Sequence, residues 1–119
     1  MKKLAVFLVF SSLLNCTNTS EEDLIDQTPL EQGEIITYTV HVKPIIDANC
    51  LNCHGTPPTN GAPISLATYN QVKQAVENNN LIGRISSQDP GFLMPLGGQR
   101  LPQNLIDLII QWDNDGLQE

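Results

Sequence analysis

The residues with the most chemistry to offer sit together at Cys50-Leu51-Asn52-Cys53-His54. Two thiols three residues apart, with an imidazole directly after the second, form the pattern by which a c-type haem is attached: each cysteine makes a thioether and the histidine ligates iron. The spacing has a physical reason. On one helical turn residues three apart share a face, so both sulfurs can meet the two haem vinyl groups while the next side chain is aimed at the iron. Two other readings use the same residues. A Cys-x-x-Cys pair also serves thiol-disulfide exchange in thioredoxin-like proteins, or binds a metal with the histidine incidental.

A six-coordinate iron needs a donor on its other face, and soft or imidazole donors are few. Beyond His54 there are His41 and Met94, because Met1 belongs to an N-terminal segment that reads as a removable leader. Met94 lies among Pro90, Gly91, Pro95, Gly97 and Gly98, so it is not part of a helical core stripe. A loop stiffened by Pro95 can present a thioether at a fixed position, which makes Met94 the expected second axial ligand; the plain alternative is an apolar methionine filling a core gap. His41 competes, but a helical run from His41 to Cys50 would be about 13 Å long on the proximal side. It reads as a partly exposed histidine on an edge segment.

These groups have to be held by the elements around them. Ile36, Tyr38, Val40 and Val42 alternate with Thr37, Thr39 and His41, a period of two that predicts a short extended segment. Pro44 suits the first turn of a helix whose last turn carries the Cys50–His54 motif and which Gly55 and the Pro57-Pro58 pair end. Residues 56–63 are Pro, Gly, Asn and Thr apart from Ala62, a loop that must wrap round the histidine side. Ser65 or Thr68 caps a helix over residues 68–78 with Tyr69, Val72 and Val76 at helical spacing, and a shorter helical piece is predicted at 81–86. Residues 88–99 are too rich in Pro and Gly for a regular element. The last helix starts near Pro102 and stops at Gly116. Its stripe of Leu105, Ile109 and Trp112 is expected to pack on the helix before the motif.

The N-terminal end addresses the chain rather than folding it. Lys2 and Lys3 precede an apolar run that is too short to span a bilayer and has the layout of a secretory leader, placed at residues 1–15. Leu13-Leu14-Asn15-Cys16 resembles the lipobox of bacterial lipoproteins, in which Cys16 becomes the lipidated first residue; ordinary cleavage nearby would leave Cys16 as a stray thiol. The formal charge is -7, and losing Lys2 and Lys3 takes it to about -9. Nucleic acid is therefore excluded as a partner. Glu21, Glu22, Asp23, Asp26, Glu31 and Glu34 fall before residue 35 with no base among them, so residues 16–34 read as an acidic flexible tether. Residues 35–119 are left as one small domain. At that size an apolar core alone gives marginal stability, and a covalent cofactor would serve as the staple. The apo chain is expected to fold poorly.

The order of parts resembles a class I cytochrome c: a helix ending in Cys50-x-x-Cys53-His54-Gly55, a Pro/Gly loop, a middle helix, a Leu93-Met94-Pro95 loop and a C-terminal helix with Trp112. It is most similar to the small bacterial monohaem domains that begin with a Pro-Ile pair, here Pro44-Ile45, and the likeness covers residues 35–116. The resemblance implies an all-α domain wrapped around one covalent haem, with His54 and Met94 as axial ligands. It also implies a backbone carbonyl accepting a hydrogen bond from the imidazole, placed at Pro63. Among Arg84, Arg100, Tyr69, Gln99 and Trp112, Arg84 is the expected contact to the haem propionates.

With both axial positions filled by protein, the expected function is one-electron transfer between redox partners, an oxidase, reductase or dehydrogenase, and not enzymatic turnover. The acidic charge favours a basic docking patch on the partner and association that weakens in salt. The rival within haem chemistry is a ligand sensor or peroxidase-like protein in which Met94 is displaceable. The expected setting is the periplasmic side of a bacterial membrane, reached through lipid on Cys16, as a monomer. Thr17 is not the acidic residue that resembles an inner-membrane retention signal, which points to the outer membrane. The acidic run from Ser20 to Asp23 resembles a surface-display signal, beside its reading as a plain spacer.

Overall fold

A computed structural model describes residues 33–119. The expected leader at 1–15, the lipidation site Cys16 and residues 16–32 of the expected tether lie outside the described residues. Among the described residues the chain is helical with no strand, and no helix is long and apolar enough to cross a membrane.

A period-two stretch becomes a strand only where a neighbour takes its backbone N–H and C=O groups. Residues 36–42 find one such contact, a parallel bridge of Thr37 with Gln118, in which Tyr38 N–H donates to the Gln118 carbonyl at 2.8 Å. Side chains take the adjacent donors: Asp115 Oδ2 accepts from Ile36 N–H at 2.8 Å and His41 Nδ1 from Thr37 N–H at 3.1 Å. Beyond the bridge the backbone closes on itself as a π-helical segment, Tyr38–Val42. Val42 N–H reaches the Thr37 carbonyl (3.4 Å) and Lys43 N–H that of Tyr38. The expected extended segment is corrected accordingly. Burial follows the coil, with Tyr38 and Val42 inside and Val40 66% exposed, whereas a strand would put all three on one face.

Helix α1, Lys43–Asn49, follows directly, with Pro44 in its first turn where a missing N–H costs nothing. It buries Ile45 and Ile46. The chain then turns at Cys50 (φ -118°) into a one-turn helix α2, Leu51–His54. The motif thus occupies its own turn rather than the last turn of α1. Continuity is kept by Cys50 N–H donating to the Ile46 carbonyl and His54 N–H to that of Cys50, both at 2.8 Å. Gly55 ends α2, where a Cβ would lie 3.0 Å from the Leu51 carbonyl oxygen.

Helix α3, Tyr69–Asn78, begins with a reciprocal cap: Thr68 accepts from Gln71 N–H while the Gln71 side chain accepts from Thr68 N–H. Helix α4 is Leu81–Ser86 and α5 is Gln103–Asn114 with Pro102 before it. Leu105, Ile109 and Trp112 of α5 are buried. This helix lies against the π-helical segment and α4, so the stripe closes the domain one element earlier in the chain than α1.

The C-terminal residues then return to the start of the domain. Gly116 (φ 85°) and Leu117 (φ 56°) both take left-handed backbone, and the reversal brings Gln118 beside Thr37. Trp112 Nε1–H donates to the Gln118 carbonyl and Tyr69 O–H to that of Leu117, each at 2.7 Å. Tyr38, Tyr69 and Trp112 pack with ring centroids 5.5–6.2 Å apart, within the range of favourable aromatic pairs. Ile36, Val42, Ile46, Val72, Ile85, Ile106, Ile109 and Trp112 complete a core in which each is almost wholly inaccessible.

Candidate functional site

The bend between α1 and α2 carries Cys50, Cys53 and His54 to the wall of one cavity, and the loop after α4 brings Met94 to the same cavity. Its volume is about 380 Å³, within the range of ~300–1,000 Å³ usual for small-molecule and cofactor sites. Apolar side chains make most of the rest of the wall: Ile64 and Leu66 from the return loop, Ala75 of α3, Leu81 and Ile85 of α4, and Leu101 before α5. Exposed Asn60, Gly61, Pro63 and Leu96 also line it, and no carboxylate among the described residues does.

His54 has the most defined environment of the four. Its Nδ1 is 2.8 Å from the Ile64 carbonyl oxygen. A carbonyl can only accept, so Nδ1 is the donor, and in the neutral tautomer this leaves the lone pair on Nε2. The acceptor is Ile64 and not Pro63. Leu66 N–H donates to the His54 carbonyl at 2.7 Å. That bond brings the return loop back to α2, and with it the Ile64 carbonyl comes within reach of the ring. Pro63 still lines the cavity.

Cys50 and Cys53 are free thiols, both partly buried. Burial pushes the Cys50 thiol up to about 11, so it stays neutral at physiological pH. Asn60 reaches Cys53 from the return loop, its Nδ2 donating to Sγ at 3.5 Å. Thr59 N–H donates to the Cys53 carbonyl at 2.8 Å and Thr59 Oγ1 to that of Asn52 at 2.9 Å, which holds this loop against α2. Met94 is tied to α4, its N–H donating to the Arg84 carbonyl at 3.1 Å. Among the described residues Arg84 is the one lysine or arginine on the wall, and its guanidinium lies 4.6 Å from the Phe92 ring centroid.

All six cofactor-contact residues expected from the sequence, Cys50, Cys53, His54, Met94, Pro63 and Arg84, therefore border one space. The other polar candidates do not. Trp112 and Tyr69 are committed to the C-terminal carbonyls, Arg100 binds Ser86 O, Leu101 O and Gln103, and Gln99 is off the wall. His41 is remote from the cavity, between Thr37 N–H and Glu34 at 3.2 Å. Sequence reasoning missed three amides on the wall, Asn49, Asn60 and Asn79. Asn60-Gly61 is a turn signal, and Asn60 does take left-handed backbone (φ 51°). Asn49 and Asn79 carried no comparable mark.

Chemically, the wall offers two thiols, one thioether and one imidazole lone pair in apolar surroundings with a single cation. Among the described residues no group of three or more His, Cys, Asp and Glu forms a metal cage. No protein-family model, curated protein or solved structure matches the chain.

Proposed function

We propose that this chain is an electron-transfer protein of the class I cytochrome c type, its cavity holding one c-type haem with His54 and Met94 as axial ligands. Cys50 and Cys53 would anchor the haem through thioethers. The observation that carries the reading is the contact of His54: Nδ1 donates to the Ile64 carbonyl, which in the neutral ring leaves Nε2 free for a metal, the orientation a metal-ligating histidine needs. The thioether of Met94 and both thiols on the same wall complete the donor set. When bound, the haem supplies reversible one-electron exchange.

The chain's own residues do the rest. Ile64, Leu66, Leu81, Ile85 and Leu101 make an apolar wall that limits water and disfavours extra positive charge, which together with a methionine ligand favours the reduced state. Arg84 is the cation available to an anionic edge of the cofactor. With His54 and Met94 both ligating, the haem would offer no open position to substrate, so the protein would work as a carrier between redox partners rather than as an enzyme. Lipid on Cys16 and the acidic tether would hold the domain at the periplasmic side of a membrane, or at the cell surface, and let it swing between partners. The net negative charge would steer it toward basic patches on them.

Thiol-disulfide exchange has less support. It needs an attacking thiol with a lowered pKa, whereas burial raises that of Cys50, and the described residues contain no sheet.

The test is attachment. The full chain, produced with cytochrome c maturation factors, is expected to keep its haem through denaturing electrophoresis and haem staining. The Cys50→Ala/Cys53→Ala variant is expected to lose it. A wild-type band without haem would refute the proposal.

A further inference from the structure

We propose that Phe92, gripped by Arg84, is a positioning residue that sets how firmly Met94 is held at the cavity wall. The proposal rests on the reading of Met94 as an axial ligand. The loop of residues 87–98 has no ladder or helix to place it, and Pro90, Gly91, Pro95, Gly97 and Gly98 deny it one. The Met94 side chain packs partly against the core cluster, and its backbone takes its position from a few point contacts.

Those contacts converge on two residues. Asp89 builds the first half of the loop: its carbonyl accepts from Phe92 N–H (3.0 Å) and Leu93 N–H (2.8 Å), and its Oδ1 accepts from Gly91 N–H at 2.9 Å. Arg84 ties the loop to α4, and it does so twice. Its carbonyl accepts from Met94 N–H at 3.1 Å, and its guanidinium covers the Phe92 ring at 4.6 Å, well inside the reach of a cation–π contact. Arg84 sits on α4, which buries Leu81 and Ile85 in the core, so both anchors stand on a fixed element.

Phe92 itself is 37% exposed and lies outside the core cluster. An aromatic ring so placed contributes little to the core, and its defined partner is the guanidinium. Arg84 also lines the cavity, so releasing the ring loosens the loop beside a residue of the cavity wall. The consequence concerns the sixth position: a tight clamp favours a closed carrier, and a loosened one favours a site open to small ligands.

The test uses the haem-loaded full chain with Phe92→Ala, Phe92→Leu, Phe92→Tyr and Met94→Ala. Three readouts are followed: the far-red iron-to-methionine absorption of the oxidised protein, carbon monoxide binding to the reduced protein, and hydrogen exchange of the Met94 amide. Phe92→Ala and Phe92→Leu are expected to weaken the far-red band, speed Met94 amide exchange and raise the carbon monoxide association rate roughly two- to fivefold, the effect of losing one partly exposed cation–π contact. Phe92→Tyr keeps a ring face and is expected to match wild type. Wild-type behaviour in both ring-deleting variants would overturn the clamp while leaving Met94 ligation intact. A wild-type protein without the far-red band, binding carbon monoxide as readily as Met94→Ala, would overturn the ligation and the clamp with it.

Discussion

Deleting residues 117–119 tests whether the C-terminal return is a structural clasp or a trailing end. Three donors lose their acceptors: Trp112 Nε1–H and Tyr38 N–H both use the Gln118 carbonyl, and Tyr69 O–H uses that of Leu117. Trp112 is fully inaccessible and Tyr38 is 4% exposed, so two of the three donors have little access to replacement water. A buried donor left unpaired costs about 1–3 kcal/mol. The half-buried Tyr69 hydroxyl can turn to solvent and adds little. Leu117, 6% exposed, removes a further ~2 kcal/mol of apolar burial. Relief of its left-handed backbone offsets about 1 kcal/mol. The net loss is roughly 5 kcal/mol, comparable to the whole stability of a small domain. Urea titrations of the full chain and the deletion, followed by far-UV circular dichroism, measure it. Tyr69→Phe, which removes one bond and keeps the ring, should cost about 1 kcal/mol or less. A deletion that shifts stability by no more than Tyr69→Phe would refute the clasp.

Two further outcomes follow from single side chains. Gln71 Oε1 accepts from Ala67 N–H, Thr68 N–H and Ser65 O–H at 2.9–3.1 Å, so Gln71→Ala should cost roughly 2 kcal/mol in the same titration and loosen the chain before α3. The phenol of Tyr38 is held above its ordinary value of 10.0 mainly by burial, with Lys43 pulling it down and Asp47 and Glu119 adding to the rise. For an acid with a raised folded-state pKa the stabilisation is complete below pH 10 and lost as pH climbs through the folded-state value. Stability measured from pH 9 upward should therefore decline above about pH 10, and Tyr38→Phe should flatten that part of the decline.

Much of the helical framework was legible because its signals are local. Thr68, one of the two cap candidates with Ser65, marks the start of α3, Pro44 sits in the first turn of α1, and Gly116 stops the last helix. Residues 36–42 misled because a period of two reports alternation without saying whether a second strand exists. Here Asp115 and His41 side chains take the donors that a partner strand would have taken. The candidate site was legible in its donors, since Cys50, Cys53, His54 and Met94 stand out by type and spacing. Its supports were not. The imidazole acceptor depends on loop register, fixed by the Leu66–His54 bond, and nothing in the order of residues 61–64 distinguishes Pro63 from Ile64. The contact of Arg84 with Phe92 crosses from a helix to a loop with no periodicity between them, so no pattern announces it.

The most direct test of the central claim is the oxidised and reduced absorption spectrum of the haem-loaded full chain beside its Met94→Ala variant. Low-spin c-type spectra with a weak far-red band in wild type, absent from Met94→Ala, are the predicted result. A high-spin wild-type spectrum that Met94→Ala leaves unchanged would contradict it.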